Sequence, residues 1–277
     1  MQNALFPSVT TLQWTHNMLS TAVEPSASEI SSFDRWVSRD YLNEYFRGLH
    51  EDEREVIRYF CDELRGAESG PVLYFGCGPG LNHVFLSAPV QTELVLADYL
   101  RENLDELDAW LRQAPGAHDW TEFVRYTLRC ETGAAPDDAA VNARMAAIRS
   151  AQARLAIADA AATDPMGAEY RGYFSTVFSP FCAESITADK VAWARYSRNI
   201  SSLVRPGGLL LTAALRRSQQ YRVGARHFPS ANIDETDLRQ VLSQDFDPDS
   251  VVVEVREVPE HREQGYSGIL LARARKR

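Results

Sequence analysis

The residues best placed to do chemistry in this chain are three glycines and an aspartate. Gly76, Gly78 and Gly80 alternate within PVLYFGCGPGLNHVF (71–85), directly after the apolar run Val72 to Phe75. Such a run reads as a buried parallel strand, and a GxGxG turn at its end lets a ligand approach the backbone closely. Apolar residues resume after the turn, which predicts the start of a helix. Asp98 closes a second apolar run, LVLADY (94–99), about twenty residues further on. An acid at that strand end can accept the hydroxyl hydrogens of a ribose.

The turn also discriminates among cofactors. A dinucleotide fingerprint is GxGxxG, whereas here the third glycine comes one residue early and no basic residue stands in the turn. An uncharged turn with a ribose acid suits adenosine without phosphates, and so S-adenosylmethionine (SAM). Its sulfonium would be drawn to the faces of aromatic rings. The stretch FDRWVSRDYLNEYF supplies Phe33, Trp36, Tyr41, Tyr45 and Phe46, with Tyr41 and Tyr45 on one helical face at i, i+4. These rings could form a lid over the cofactor or staple an N-terminal arm to the domain.

Around these residues the chain reads as alternating strands and helices. Residues 1–50 are expected to form an arm and lid, and residues 51–277 a SAM-binding domain. Glu51 to Leu64 is a charged amphipathic helix; the helix after Asp98 carries Leu104, Leu107, Trp110 and Leu111 toward a core. Residues 131–140 read as loop and 140–156 as helix. LAIADA is a third strand ending near Asp159, with Asp164 as a competing acid, and YFSTVFSPF is a fourth. A helix over 190–204, a strand after RPGG, a helix over 235–242 and an antiparallel pair, VVVEVREV and YSGILLARA, complete the chain. The fold expected is α/β, a doubly wound, Rossmann-like, seven-stranded mixed sheet of order 3-2-1-4-5-7-6, with an N-terminal helical lid.

The formal charge of −9 argues against non-specific nucleic-acid binding, which needs a basic footprint. Cys61, Cys77, Cys130 and Cys182 are scattered without CxxC spacing, so neither zinc nor a disulfide framework is indicated. With no leader pattern and no stretch of membrane-spanning length, a cytoplasmic location is expected. Nothing in the sequence indicates the oligomeric state.

With these residues in view, the chain resembles the nicotinamide, phenylethanolamine and thioether methyltransferases over roughly residues 33–277. RDYLNEYF, FGCGPG, ADYLRENLDELDAWL, RNISSLVRPGGLLL and the terminal GILLARARK carry the likeness. The resemblance implies that Tyr41 and Phe46 line the methionine end of SAM above Gly76, Cys77 and Gly78. Asp98, Tyr99 and Asn103 would surround the ribose, Asp159 and Ala160 would meet the adenine, and Pro180 would close the fourth strand at the same pocket. Tyr41, Tyr45 and Tyr221 would position an acceptor.

Three departures stand out. Tyr74 replaces the acid that precedes the turn in the family, and Asn82 replaces an aromatic just beyond it. Ala214 replaces the acid that faces the acceptor in amine-accepting members. Glu184 is expected near that rim but facing solvent. Without an acid at 214, the expected acceptor is uncharged or aromatic. The leading reading is methyl transfer to N, S or O of a small molecule, giving S-adenosylhomocysteine (SAH). The alternatives are cyclisation of SAM itself to azetidine-2-carboxylate with release of methylthioadenosine, for which no acceptor anchor is needed, and a non-catalytic SAM-binding module.

Overall fold

The computed structural model describes residues 33–277; residues 1–32 of the expected arm and lid over 1–50 lie outside the described residues. Seven strands form a mixed sheet: β1 (Gly70–Phe75), β2 (Gln91–Asp98), β3 (Arg154–Ile157), β4 (Phe174–Phe178), β5 (Val204–Leu215), β8 (Val252–Glu257) and β9 (Gly268–Arg275). Their order is β3-β2-β1-β4-β5-β9-β8, parallel except where β9 runs antiparallel to β5 and β8. This is the expected order, with two strands added to the numbering by a separate hairpin, β6 (Gln220–Val223) and β7 (Arg226–Pro229).

The period of two along each strand sorts side chains between two layers. Val72 and Tyr74 face one layer, packed with α2 (Glu51–Glu63), α3 (Arg101–Leu111), α4 (Thr121–Thr132) and α5 (Asp138–Ser150). Leu73 and Phe75 face the other, packed with α6 (Lys190–Ser201) and α7 (Glu235–Asp245). α7 opens on a capping box in which the Asp234 side chain accepts from the Thr236 and Asp237 N–H groups and Asp237 returns a bond to the Asp234 N–H.

Three elements differ from the sequence expectation. The residues after the glycine turn form no α-helix, only a single 3-10 turn over Val84–Ser87. Leu81, Val84, Phe85 and Leu86 are all buried, so this stretch has no polar face to present to water, and Pro89 prevents the turn from extending. α4 and the β6–β7 hairpin were not anticipated. Among the described residues, no helix is long and apolar enough to cross a membrane.

Short helix α1 (Ser38–Tyr45) bridges the carboxyl edge of the sheet. The Ser38 N–H donates to Glu102 Oε1 at 2.8 Å, and Arg39 pairs with Glu106 at 2.6 Å, tying α1 to α3. On its other side, Arg222 reaches Glu44 at 2.9 Å and Arg226 reaches Asp40 at 3.3 Å, tying it to the hairpin. Phe33 and Trp36 pack on Phe228 of β7 at ring distances of 5.1 and 5.2 Å. Exposed ion pairs of this kind each contribute little; the buried rings supply most of the hold.

Candidate active site

Strand register assembles the site. Phe75 lies beside Ala97 and Asp98 beside Ile157, so the turn after β1, Asp98, and the Ala158–Ala161 segment all emerge at one edge. Tyr74 pairs with Phe178, which brings Pro180 and Cys182 to the same place from β4. A pocket opens there, lined among others by Tyr41, Tyr45, Phe46, Cys77, Gly78, Asn82, Tyr99, Asp159, Ala160 and Tyr221. Carboxyl ends of parallel strands at a switch in strand order are where doubly wound folds bind ligands.

Asp98 is buried and held from three sides. Leu100 N–H and the Asn103 amide donate to Oδ1 at 2.9 Å each, and Gly78 N–H donates to Oδ2 at 2.8 Å. Burial pushes its carboxyl above the usual aspartate range, and those three hydrogen bonds offset part of the rise. Asn103 lines the pocket, but its oxygen accepts the Trp36 indole N–H at 2.8 Å and lies 2.7 Å from the Ser38 hydroxyl. It therefore ties the N-terminal segment to Asp98. Asp159 lines the pocket and accepts from Ala161 N–H at 2.8 Å, whereas Asp164 is engaged with Arg171 outside it.

The two pocket glycines do different work. At Gly76 (φ +64°) an added Cβ would lie 2.1 Å from Cys182 Sγ, so that position needs glycine for packing as well as for its dihedral. At Gly78 (φ +58°) the added Cβ would meet only Tyr41 Cε1, at 3.9 Å, so the backbone there is open to the pocket. Burial pushes the Cys77 thiol well up, which leaves it a neutral wall group.

The acceptor side departs from the expectation in two ways. Ala214 does not face the pocket. It belongs to the α6–α7 layer with Ala231, Ile233 and Leu238, and Leu215 is the residue of β5 that lines the pocket. Glu184 does not face solvent: it is buried, and its Oε1 accepts Leu215 N–H and the Ser185 hydroxyl, each at 3.1 Å. A buried carboxyl thus lies behind the pocket wall at Leu215, one residue along β5 from Ala214, and burial pushes it up to about 7. Tyr45 donates its hydroxyl to the Arg222 carbonyl at 2.7 Å, so it fixes the hairpin to α1 while its ring lines the pocket. Tyr41 and Tyr221 are held protonated, first by burial; Glu53, Asp52, Glu184 and Asp98 add to this at Tyr41.

Asp52, Glu53, His83 and Tyr266 line the pocket and were not foreseen. A signal for the acids existed. On α2 they share a helical face with the buried Val56, Ile57 and Phe60, a placement that solvated acids would avoid.

These features fit SAM. Asp98 and Asp159 would flank the nucleoside end, Gly78 would leave room beneath the chain, and acids with aromatic walls at Tyr41 would suit a cation. Fold and site together define a SAM-dependent methyltransferase. Residues 24–277 match the NNMT/PNMT/TEMT family, and the chain belongs to it. Nicotinamide N-methyltransferase of Homo sapiens is 27% identical over 217 residues, 73% of this chain and 80% of the relative. Indolethylamine N-methyltransferase of Mus musculus is 27% identical over 213 residues, 74% and 79% of the two chains. The DhpI–SAH complex superposes with a TM-score of 0.54 at 14% identity over 91% of this chain and 98% of its own, a likeness of fold.

Proposed function

We propose that this enzyme transfers the methyl group of SAM to a nitrogen of a small amine, releasing SAH. The observation that carries the reading is one pocket joining Asp98 to a wall of Tyr41, Tyr221 and Leu215, with the buried carboxyl of Glu184 bonded to that wall. Bound SAM supplies a methyl on a sulfonium, already a good leaving group. What the chain adds is alignment and exclusion of water: the lone pair must lie in line about 3 to 3.5 Å from the methyl carbon. Tyr41, Tyr45 and Tyr221 wall that space. The buried Glu184 behind this wall is felt at Tyr41 and Tyr221, so its field draws an amine to that space, where the neutral amine attacks and leaves as its methylated ammonium. The N–C bond forms as the S–C bond breaks. The relatives named for nicotinamide and indolethylamine act on nitrogen, which agrees with this choice. All four cysteines are free thiols, which suits a reducing compartment, and we place the enzyme in the cytoplasm.

The support that Ala214 gave to cyclisation falls away, because that residue faces the other layer. The test is turnover of SAM with a panel of aromatic and aliphatic amines. SAH should appear only when an acceptor is present, and Glu184→Gln should raise KM for the best amine about tenfold, with SAH affinity held within about twofold. Methylthioadenosine and an imino acid formed from SAM alone, or an unchanged KM, would overturn the proposal.

A further inference from the structure

The methionine end of SAM carries an ammonium as well as a sulfonium, and burying an ammonium without an anionic or polar partner is costly. Strand β1 offers no carboxylate at the turn. Tyr74, the residue one short of its end, stacks on Phe178 at 4.4 Å and donates its hydroxyl to the His83 carbonyl at 2.8 Å, inside the core. Four carboxylates line the pocket: Asp52, Glu53, Asp98 and Asp159. Asp98 and Asp159 stand at the nucleoside end. Asp52 lies 3.0 Å from His261 Nε2 and accepts Glu53 N–H at 2.8 Å, on the side of Tyr45 and Tyr266.

Glu53 remains, and it is placed differently. It is 5% exposed and lines the pocket beside Asn82 and His83, the residues that follow the glycine turn. The Asn82 amide donates to Oε2 at 2.8 Å, and His83 Nε2 lies 3.0 Å from the same oxygen. Among the described residues no hydrogen bond to Oε1 is seen, so this pocket-lining carboxylate keeps one oxygen to accept from a ligand. An added Cβ at Gly80 would come within 2.7 Å of Asn82 Oδ1 and 3.6 Å of Phe46, which sets this network against the turn and the lid together.

We propose that Glu53, held by Asn82 and His83, seats the α-ammonium of the cofactor's methionine moiety. The assignment rests on the reading that this pocket binds SAM. Tyr74 takes part indirectly: by bracing the His83 backbone it fixes the segment that orients Glu53.

Calorimetry with SAH and its analogue bearing hydrogen in place of the amino group tests this without catalysis. The wild-type protein should bind SAH at least tenfold more tightly than the desamino analogue. Glu53→Gln should reduce that ratio to about two or less, leaving desamino affinity within about twofold, while Asp52→Asn should preserve the ratio. A wild-type ratio near one overturns the assignment whether or not the variant folds. Equal loss of both ligands in Glu53→Gln, or collapse of the ratio in Asp52→Asn, overturns it as well. Failure of the wild-type protein to bind either ligand would instead remove the cofactor reading on which the assignment rests.

Discussion

Asp98 is a buried acid lining the pocket and Glu184 a buried acid behind its wall, yet only the first was legible in the sequence. Asp98 ends an apolar run at a fixed distance from a glycine turn, and that spacing has one structural meaning. Glu184 sits in an irregular segment after β4, where no periodicity tells a buried acid from a solvated one, and its neighbours in space come from β5 and the α7 approach. The acid sought at Ala214 failed for a related reason: a position matched along the sequence does not determine which face of β5 a side chain takes. Two predictions belong at this scale. Asp98→Ala should weaken SAH binding by about 2 to 4 kcal/mol, as for lost hydrogen bonds to a charged group; unchanged affinity in calorimetry contradicts the ribose assignment. Glu184 rises from an ordinary value of 4.5 to about 7, so its folded form binds a proton that the unfolded chain has already released. Its contribution is complete below pH 4.5 and is lost as pH climbs through 7, a change of about 3 kcal/mol. Denaturant titrations should therefore show Glu184→Gln gaining stability relative to wild type between pH 4.5 and 8. A difference that stays flat across that range contradicts the burial argument.

The buried strands were legible as short apolar runs and most helices by their 3.6-residue spacing, although α5 ends at Ser150 and gives way to β3 inside the expected helix. The stretch after the glycine turn was misread as helix, since a short apolar run buried all round carries no period to tell helix from turn. The β6–β7 hairpin was hidden for the opposite reason: its strands are four residues each, and they earn their place by holding α1 rather than by joining the main sheet. That arrangement gives the segment the contacts of both a lid and a staple. Tyr41 and Phe46 line the pocket while Trp36, Ser38 and Tyr45 pin the same segment to Asn103 and Arg222. Because Asn103 also holds Asp98, a ligand on Asp98 should tighten α1. Hydrogen exchange of the Ser38–Tyr45 amides should slow at least about fivefold with saturating SAM, since ligand binding raises the free energy of local opening. Exchange that is the same with and without SAM would leave α1 a passive staple.

Across the whole molecule, the mixed sheet places its two helical layers so that loops from β1, β2, β3, β4 and β5 meet at one edge, and α1 with the hairpin closes that edge. The −9 charge of the chain has a local counterpart there: Asp52, Glu53, Glu184 and Asp98 all act on Tyr41, a field that favours a cation such as a sulfonium. The sequence brought Asp98, Asp159 and the glycine turn to this pocket and hid the acids of α2 and of the segment after β4, whose positions depend on packing between separate elements. If the account is right, the methyl carbon leaves the cofactor for the amine. The direct measurement is the fate of that carbon, followed by mass spectrometry with SAM carrying a trideuterated methyl group and the best amine acceptor. The account predicts the label on the amine nitrogen and unlabelled SAH in equal amount. Label retained in methylthioadenosine, with the amine unchanged, would contradict it.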